Sequence, residues 1–188
     1  DADGGTRLLD AFVDTPGRCR PAAETDFRAI EADFGETRQE FHIGAGAIAA
    51  SGLPAGLWEL HARLGRMPMA EVAAPAIAAA RAGVSVTPYQ ARLAQIVAPI
   101  LTASAEARAL HCDAQGTLHG AGAVCTNPDL ADVLAVYAAE GPRFVQEGEV
   151  AAGLLALARA GGHLEAGDLA RCTPRWRAPL ALRRGPAA

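Results

Sequence analysis

Few residues of this chain stand at spacings that could do chemistry. His111, Cys112, His119 and Cys125 are metal-ligand types in one short stretch. Structural zinc sites bring ligands in pairs at short fixed spacing, whereas His111 and Cys112 are adjacent and would point apart on a helix. We read them as flanking a loop around Gly116, Gly120 and Gly122, and expect no metal. Gly44-Ala45-Gly46-Ala47-Ile48-Ala49 fits a loose G-x-G-x-x-A dinucleotide pattern. The residues before it, Glu36 to Glu40, are charged and suggest no strand–turn–helix unit, so a tight turn is the better reading. Ser51 lies in no G-x-S-x-G motif, which argues against a serine hydrolase. His42, His61 and His163 are scattered and read as structural or surface residues; His61, four residues before Gly65, can face the negative end of its helix.

The elements around these residues are mostly helical. Ser51-Gly52-Leu53-Pro54 opens an apolar-striped helix, with Ser51 as its cap, Pro54 in the first turn and Gly65 at its end. Leu57 and Trp58 would pack into the core. Arg66-Met67-Pro68 leads to a second helix, which Pro75 should kink by removing a hydrogen bond. Thr87-Pro88 opens a third, striped by Leu93, Ile96, Val97 and Ile100. Asn127-Pro128-Asp129 opens a fourth, striped by Leu130, Val133, Leu134 and Tyr137. Glu149 to Arg159 forms another, stopped at Gly161-Gly162, and Glu165 to Ala170 adds a turn or two. Asp1 to Gly5 reads as a hairpin turn, Arg7 to Phe12 as a strand and residues 14–40 as irregular loop. Trp176 to Leu182 reads as a strand, with Pro179 marking it as an edge. Some six helices and one or two marginal strands are expected.

Composition narrows the classes. Of 188 residues 51% are hydrophobic but 5% aromatic, so alanine and leucine must fill the interior. All 17 basic residues are arginine, and the net charge of -4 argues against a nucleic-acid partner. No uninterrupted apolar run reaches the roughly 18 residues that a membrane span needs. Cys19, Cys112, Cys125 and Cys172 are widely spaced and read as reduced thiols, with a Cys112–Cys125 pair left open.

An ordered series of phrases carries a resemblance. Gly52-Leu53-Pro54-Ala55-Gly56, Leu64-Gly65-Arg66-Met67-Pro68, Ala74-Pro75-Ala76-Ile77 and Ala80-Arg81-Ala82-Gly83 come first. Asn127-Pro128-Asp129-Leu130-Ala131, Glu140-Gly141-Pro142, Gly148-Glu149-Val150-Ala151, Gly161-Gly162-His163-Leu164 and Asp168-Leu169-Ala170 follow. In this order they resemble the large subunit of the gamma-glutamyltransferase family of N-terminal-nucleophile (Ntn) hydrolases, across nearly the whole chain.

The resemblance implies a mainly α fold, the helical flank of an αββα sandwich with most of the central sheet missing. It implies one partial domain over 1–188, with a hairpin remnant and loop at 1–50, helices at 51–172 and an extended segment at 173–188. A large apolar face should then be exposed. In the family, autoproteolysis exposes a threonine whose own α-amine serves as base for acyl transfer. This chain begins at Asp1, and none of its threonines has the processing context. No catalytic residue is therefore assigned, and the chain alone is expected to be inactive. The implied partners are a threonine-bearing small subunit or the rest of the same protein, a second copy being possible. The implied substrate is a small-molecule amide, with no cofactor. Glutamyl-binding members carry an arginine soon after a Leu-Asp pair to hold the donor's α-carboxylate. Alignment on Leu9-Asp10 and Pro16 puts Phe12 there, which leaves Arg18 for the carboxylate and Asp14 for an α-ammonium. The alternative is a non-catalytic helical binding or scaffold module derived from the fold. Location stays open between export, frequent in the family, and the cytoplasm.

Overall fold

Side-chain caps and prolines set where this chain's helices begin and end. A computed structural model describes residues 5–180; most of the expected Asp1–Gly5 turn, and the expected strand past residue 180, lie outside them. Helix α1 spans Leu53–Leu64 and α2 Met69–Ala82. Helices α3 (Pro88–Ile96), α4 (Ala98–Leu101) and α5 (Ala105–His111) follow. Then come α6 (Pro128–Glu140), α7 (Arg143–Gln146), α8 (Glu149–Arg159) and α9 (Ala166–Arg171). At α3, Thr87 Oγ1 accepts from the Gln90 N–H, and Gln90 Oε1 accepts from the Thr87 N–H. Asn127 Oδ1 caps α6 by accepting from the Leu130 N–H at 3.0 Å. Ser51 does not cap α1: Gly52 holds that position without a side-chain bond, and Pro54 sits in the first turn as expected. The end at Gly65 is tied by its N–H to the His61 carbonyl, while the His61 ring meets the Met67 carbonyl at 2.7 Å.

One further expectation changes. The single helix expected through Ile100 breaks at Val97, because Pro99 has no N–H for the Gln95 carbonyl. The segment before His111 is helix α5, whose cap Ser104 accepts from the Ala107 N–H. Helix α2 runs through Pro75 as one element.

The largest correction falls on residues 14–40. Strands β2 (Arg28–Asp33) and β3 (Arg38–Ile43) form an antiparallel hairpin in register Ile30↔Phe41. Ile30, Ala32, Phe41 and Ile43 are the more buried residues of a period-two pattern whose outward members are mostly charged or polar. The Asp33 carboxylate accepts from the Gly35 N–H at 2.8 Å, and Gly35 takes φ 95° in the turn. Two further ribbons are short: β1 (Leu8–Asp10) pairs with β6 (Arg175–Arg177), and β4 (Val84–Ser85) with β5 (Val124–Cys125). The described residues thus hold nine α-helices and six strands, mainly helical as expected but richer in short strands.

Small side chains make the core. Ala50, Ala151, Ala158, Leu164, Leu169 and Cys172 are buried together, with Ile48, Leu154 and Leu155 against them. Among the described residues no large side chain is fully buried. Leu57 is not core: it is 48% exposed, in line with Leu53, Leu60 and Leu64 along α1. Trp58 is half-buried, edge-on to Tyr137, whose hydroxyl donates to the Pro54 carbonyl at 2.6 Å. Helix α2 lies along α6, and Arg81 pairs with Asp132.

Asp168 joins the N-terminal loop to this core. The residue is 5% exposed; its carboxylate accepts from the backbone N–H groups of Gly17 and Glu165, 151 and 3 residues away, and pairs with Arg171. Burial alone would raise its pKa, but the two backbone donors and the guanidinium outweigh burial and hold it below the ordinary value. Asp168→Ala leaves two backbone donors unpaired, and should cost roughly 2 kcal/mol in urea unfolding at pH 7. Because the folded pKa is the lower one, this stabilisation is present above about pH 4 and fades as pH falls through the folded value. The gap between wild type and variant should therefore narrow at pH 3.

Candidate functional site

The β1–β6 ribbon walls a cavity lined by two carboxylates and two guanidinia. Leu9 pairs with Trp176 and Asp10 with Arg175, so the period of two turns Arg175 and Arg177 to one face and Trp176 to the other. On its own face the Trp176 indole donates to Glu59 at 3.0 Å, and the Arg63 guanidinium lies over the ring. Opposite, Asp10, Phe12, Val13, Asp14, Cys172, Thr173, Arg175 and Arg177 enclose about 210 Å³. The chain beyond Phe12 is held by a reciprocal backbone bridge between Asp14 and Ala50, at 2.9 and 3.0 Å.

Charges divide unequally there. Arg177 Nε donates to Asp10 at 2.7 Å; that bond, with the Phe12 N–H, holds the Asp10 carboxyl below its usual pKa. The Asp14 carboxylate and the Arg175 guanidinium have no such partner among the described residues. A carboxylate and a guanidinium without hydrogen-bonded partners thus share a small cavity with an aromatic ring, Phe12 being 80% exposed, while the Arg175 charge also acts on Asp10. Cys172 lies beneath, its thiol donating weakly to the Ala50 carbonyl at 3.4 Å. Burial first, then the Asp14 charge, pushes this thiol up, which keeps it protonated and poorly nucleophilic.

The structure separates the two residues picked out for substrate binding. Asp14 lines the cavity, whereas Arg18 stands outside the lining and pairs with Glu165 at 3.3 Å, both side chains about half exposed. Arg175 and Arg177 are the guanidinia beside Asp14. Sequence reasoning passed over them although the Arg-Trp-Arg alternation was a usable signal.

The other motifs fall elsewhere. His111, His119 and Cys125 line a separate cavity of about 290 Å³, while Cys112 is buried in a bridge to Leu118. Among the described residues no group of three ligand-type side chains could hold a metal ion, and all four cysteines are free. Gly44 precedes a 3-10 turn that contains Gly46 and does follow a strand, contrary to expectation, but that strand belongs to an antiparallel hairpin. Gly44 takes φ 106° where the backbone passes tightly over Asp26.

A gamma-glutamyltranspeptidase family model matches residues 9–184. The chain belongs to the gamma-glutamyltranspeptidase family. It is 30% identical over 184 residues to the acylase ACY 1 proenzyme of Pseudomonas sp. strain V22, covering 95% of this chain and 32% of that protein. It is 32% identical over 139 residues to the glutathione hydrolase proenzyme of Pseudomonas aeruginosa, covering 73% of this chain and 24% of the relative. The solved gamma-glutamyltranspeptidase of Pseudomonas nitroreducens complexed with L-DON is 27% identical, with a TM-score of 0.72, over 93% of this chain and 50% of that one. The chain thus spans about a third or less of the length of these two proenzymes. Phe12 lines the charged cavity from an exposed position.

Cys19 and Cys172 should differ in reactivity. Iodoacetamide at pH 8 should label exposed Cys19 and spare Cys172 in the native protein. Peptide mass mapping, with urea-unfolded protein as the control for full labelling, checks it.

Proposed function

We propose that this chain is the large-subunit portion of a gamma-glutamyltransferase-like acylase, with its nucleophilic threonine on a segment outside residues 1–188. The observation that carries the proposal is the cavity of Phe12, Asp14 and Arg175 within the stretch that matches the family. In this reading the helices flank an αββα sandwich. The β2–β3 hairpin, too small a sheet to be stable alone, belongs to its interior.

The chain's share of the chemistry is to bind and orient. The threonine hydroxyl attacks the amide carbonyl, the amine departs with the proton taken by the α-amine, and water or a second amine cleaves the ester. Arg175 forks onto the donor's carboxylate while Asp14 faces its ammonium, which suits a gamma-glutamyl or related amide. Arg18 can join by leaving Glu165, since an exposed pair of this kind holds weakly. Phe12, in place of the family arginine, weakens recognition of ordinary gamma-glutamyl donors and favours a related amide.

Intact-mass analysis and N-terminal sequencing of the full-length protein test the first part. A second chain beginning with threonine is expected. A single unprocessed chain without amidase activity would favour the helical binding module instead. For the second part, Arg175→Met should raise KM for the best amide donor by about ten- to a hundredfold, the worth of a charge-assisted hydrogen bond, with little change in kcat. Hydrolysis of a gamma-glutamyl anilide by the native protein should be weak, and Phe12→Arg should improve it. Robust glutamyl transfer that ignores Arg175→Met would exclude this cavity as the donor site.

A further inference from the structure

A second cavity lies between α8, the end of the β2–β3 hairpin and the start of α5, and shares no lining residue with the Asp14 cavity. It encloses about 660 Å³, more than the Asp14 cavity, and its walls are mostly apolar: Ile43, Ile48, Ala103 and Leu157. Volume and lining fall within the range of small-molecule sites.

Gly153 on α8 is the telling residue. Glycine weakens a helix interior and is normally tolerated there where another chain segment approaches closely. Here a Cβ at Gly153 would meet nothing within 4 Å. No described neighbour needs the space, and the glycine deepens the cavity. One helical turn on, Leu157 faces the same cavity and is 60% exposed, a large apolar side chain left in water.

The polar groups at the rim show which charge an occupant should carry. Asp26 is spent: one oxygen accepts from Arg28 Nε at 2.9 Å and the other from the Ala45 N–H at 3.0 Å. Glu106, in the first turn of α5, is held by its own backbone N–H and the Ser104 hydroxyl. Arg28 uses Nε on Asp26, its two terminal nitrogens have no partner among the described residues, and its side chain is 62% exposed. The unspent group is a guanidinium beside an apolar cleft.

We propose that this cavity is a second ligand site, taking a small amphipathic carboxylate whose apolar body lies along Gly153, Leu157, Ile43 and Ile48 and whose carboxylate meets Arg28. It uses neither Asp14 nor Arg175, so its test reads separately from that of the donor site.

Octanoate, octanol and octylamine titrated into the intact protein, followed by calorimetry, test it. Native protein should bind octanoate saturably, at least about tenfold tighter than octylamine. Gly153→Trp, which fills the open space, should weaken octanoate about tenfold or more with the circular-dichroism melt unchanged. Leu157→Glu, at an exposed position, should do the same and serves if the tryptophan variant fails to fold. Arg28→Met should remove the preference for octanoate over octanol. Absence of saturable octanoate binding, preference for octylamine, or full affinity in both cavity variants would each overturn the proposal.

Discussion

A single buried carboxylate lets the N-terminal loop take part in the fold. Asp168 accepts from the backbone of a residue 151 positions earlier and from the N-terminus of its own helix. The other ties of that loop are weaker or shallower. Arg20 donates to the Gly162 carbonyl at 2.6 Å, and its backbone N–H reaches the His163 ring. Without the buried anchor, the stretch from Asp14 to Arg20 would rest on its two Arg20 bonds and the Asp14–Ala50 bridge. The charged cavity depends on that bridge for its shape. A structural carboxylate four residues from Cys172 thus sets the geometry of a site it does not line.

The core around Asp168 explains why one polar anchor has such reach. Its interior is alanine, leucine and a thiol, and no large side chain in the described residues is fully buried. Small side chains let α8 approach the extended Ile48–Ala50 segment closely, but each removes little apolar surface from water. Ordering an irregular loop costs about 1–2 kcal/mol per residue in backbone entropy, more than so thin a core supplies at that edge. Backbone hydrogen bonds to a desolvated charge make up part of the difference.

How much of this could be read from residues alone depended on the kind of signal. Helices with side-chain caps and prolines at their starts were legible: Thr87-Pro88 and Asn127-Pro128 mark their helices to the residue. The family was legible because many ordinary phrases occur in one order. The β2–β3 hairpin was not, since its outward residues are charged and hide the alternation of Ile30, Ala32, Phe41 and Ile43. Nor was Ser51's failure to cap, because Gly52 adopts the boundary conformation instead. At the site, Asp14 was found and its neighbours were missed. Arg175 comes from a strand 161 positions away, and pairing between distant strands is invisible to local pattern. Leu57 shows the converse: an apolar stripe identifies a face that wants cover, not the element that covers it.

The stripe on α1 bears on how such a protein can be made. Leu53, Leu57, Leu60 and Leu64 recur at spacings of four, three and four, the seam that lets helices zip together, and all four are largely in water. Any two copies emerging from ribosomes could adhere through it. A cover encoded on the same polypeptide meets that face at an effective concentration of order millimolar, far above that of a freely diffusing sister chain. A cover tethered to the same polypeptide therefore avoids a hazard that a separately synthesised cover would have to survive.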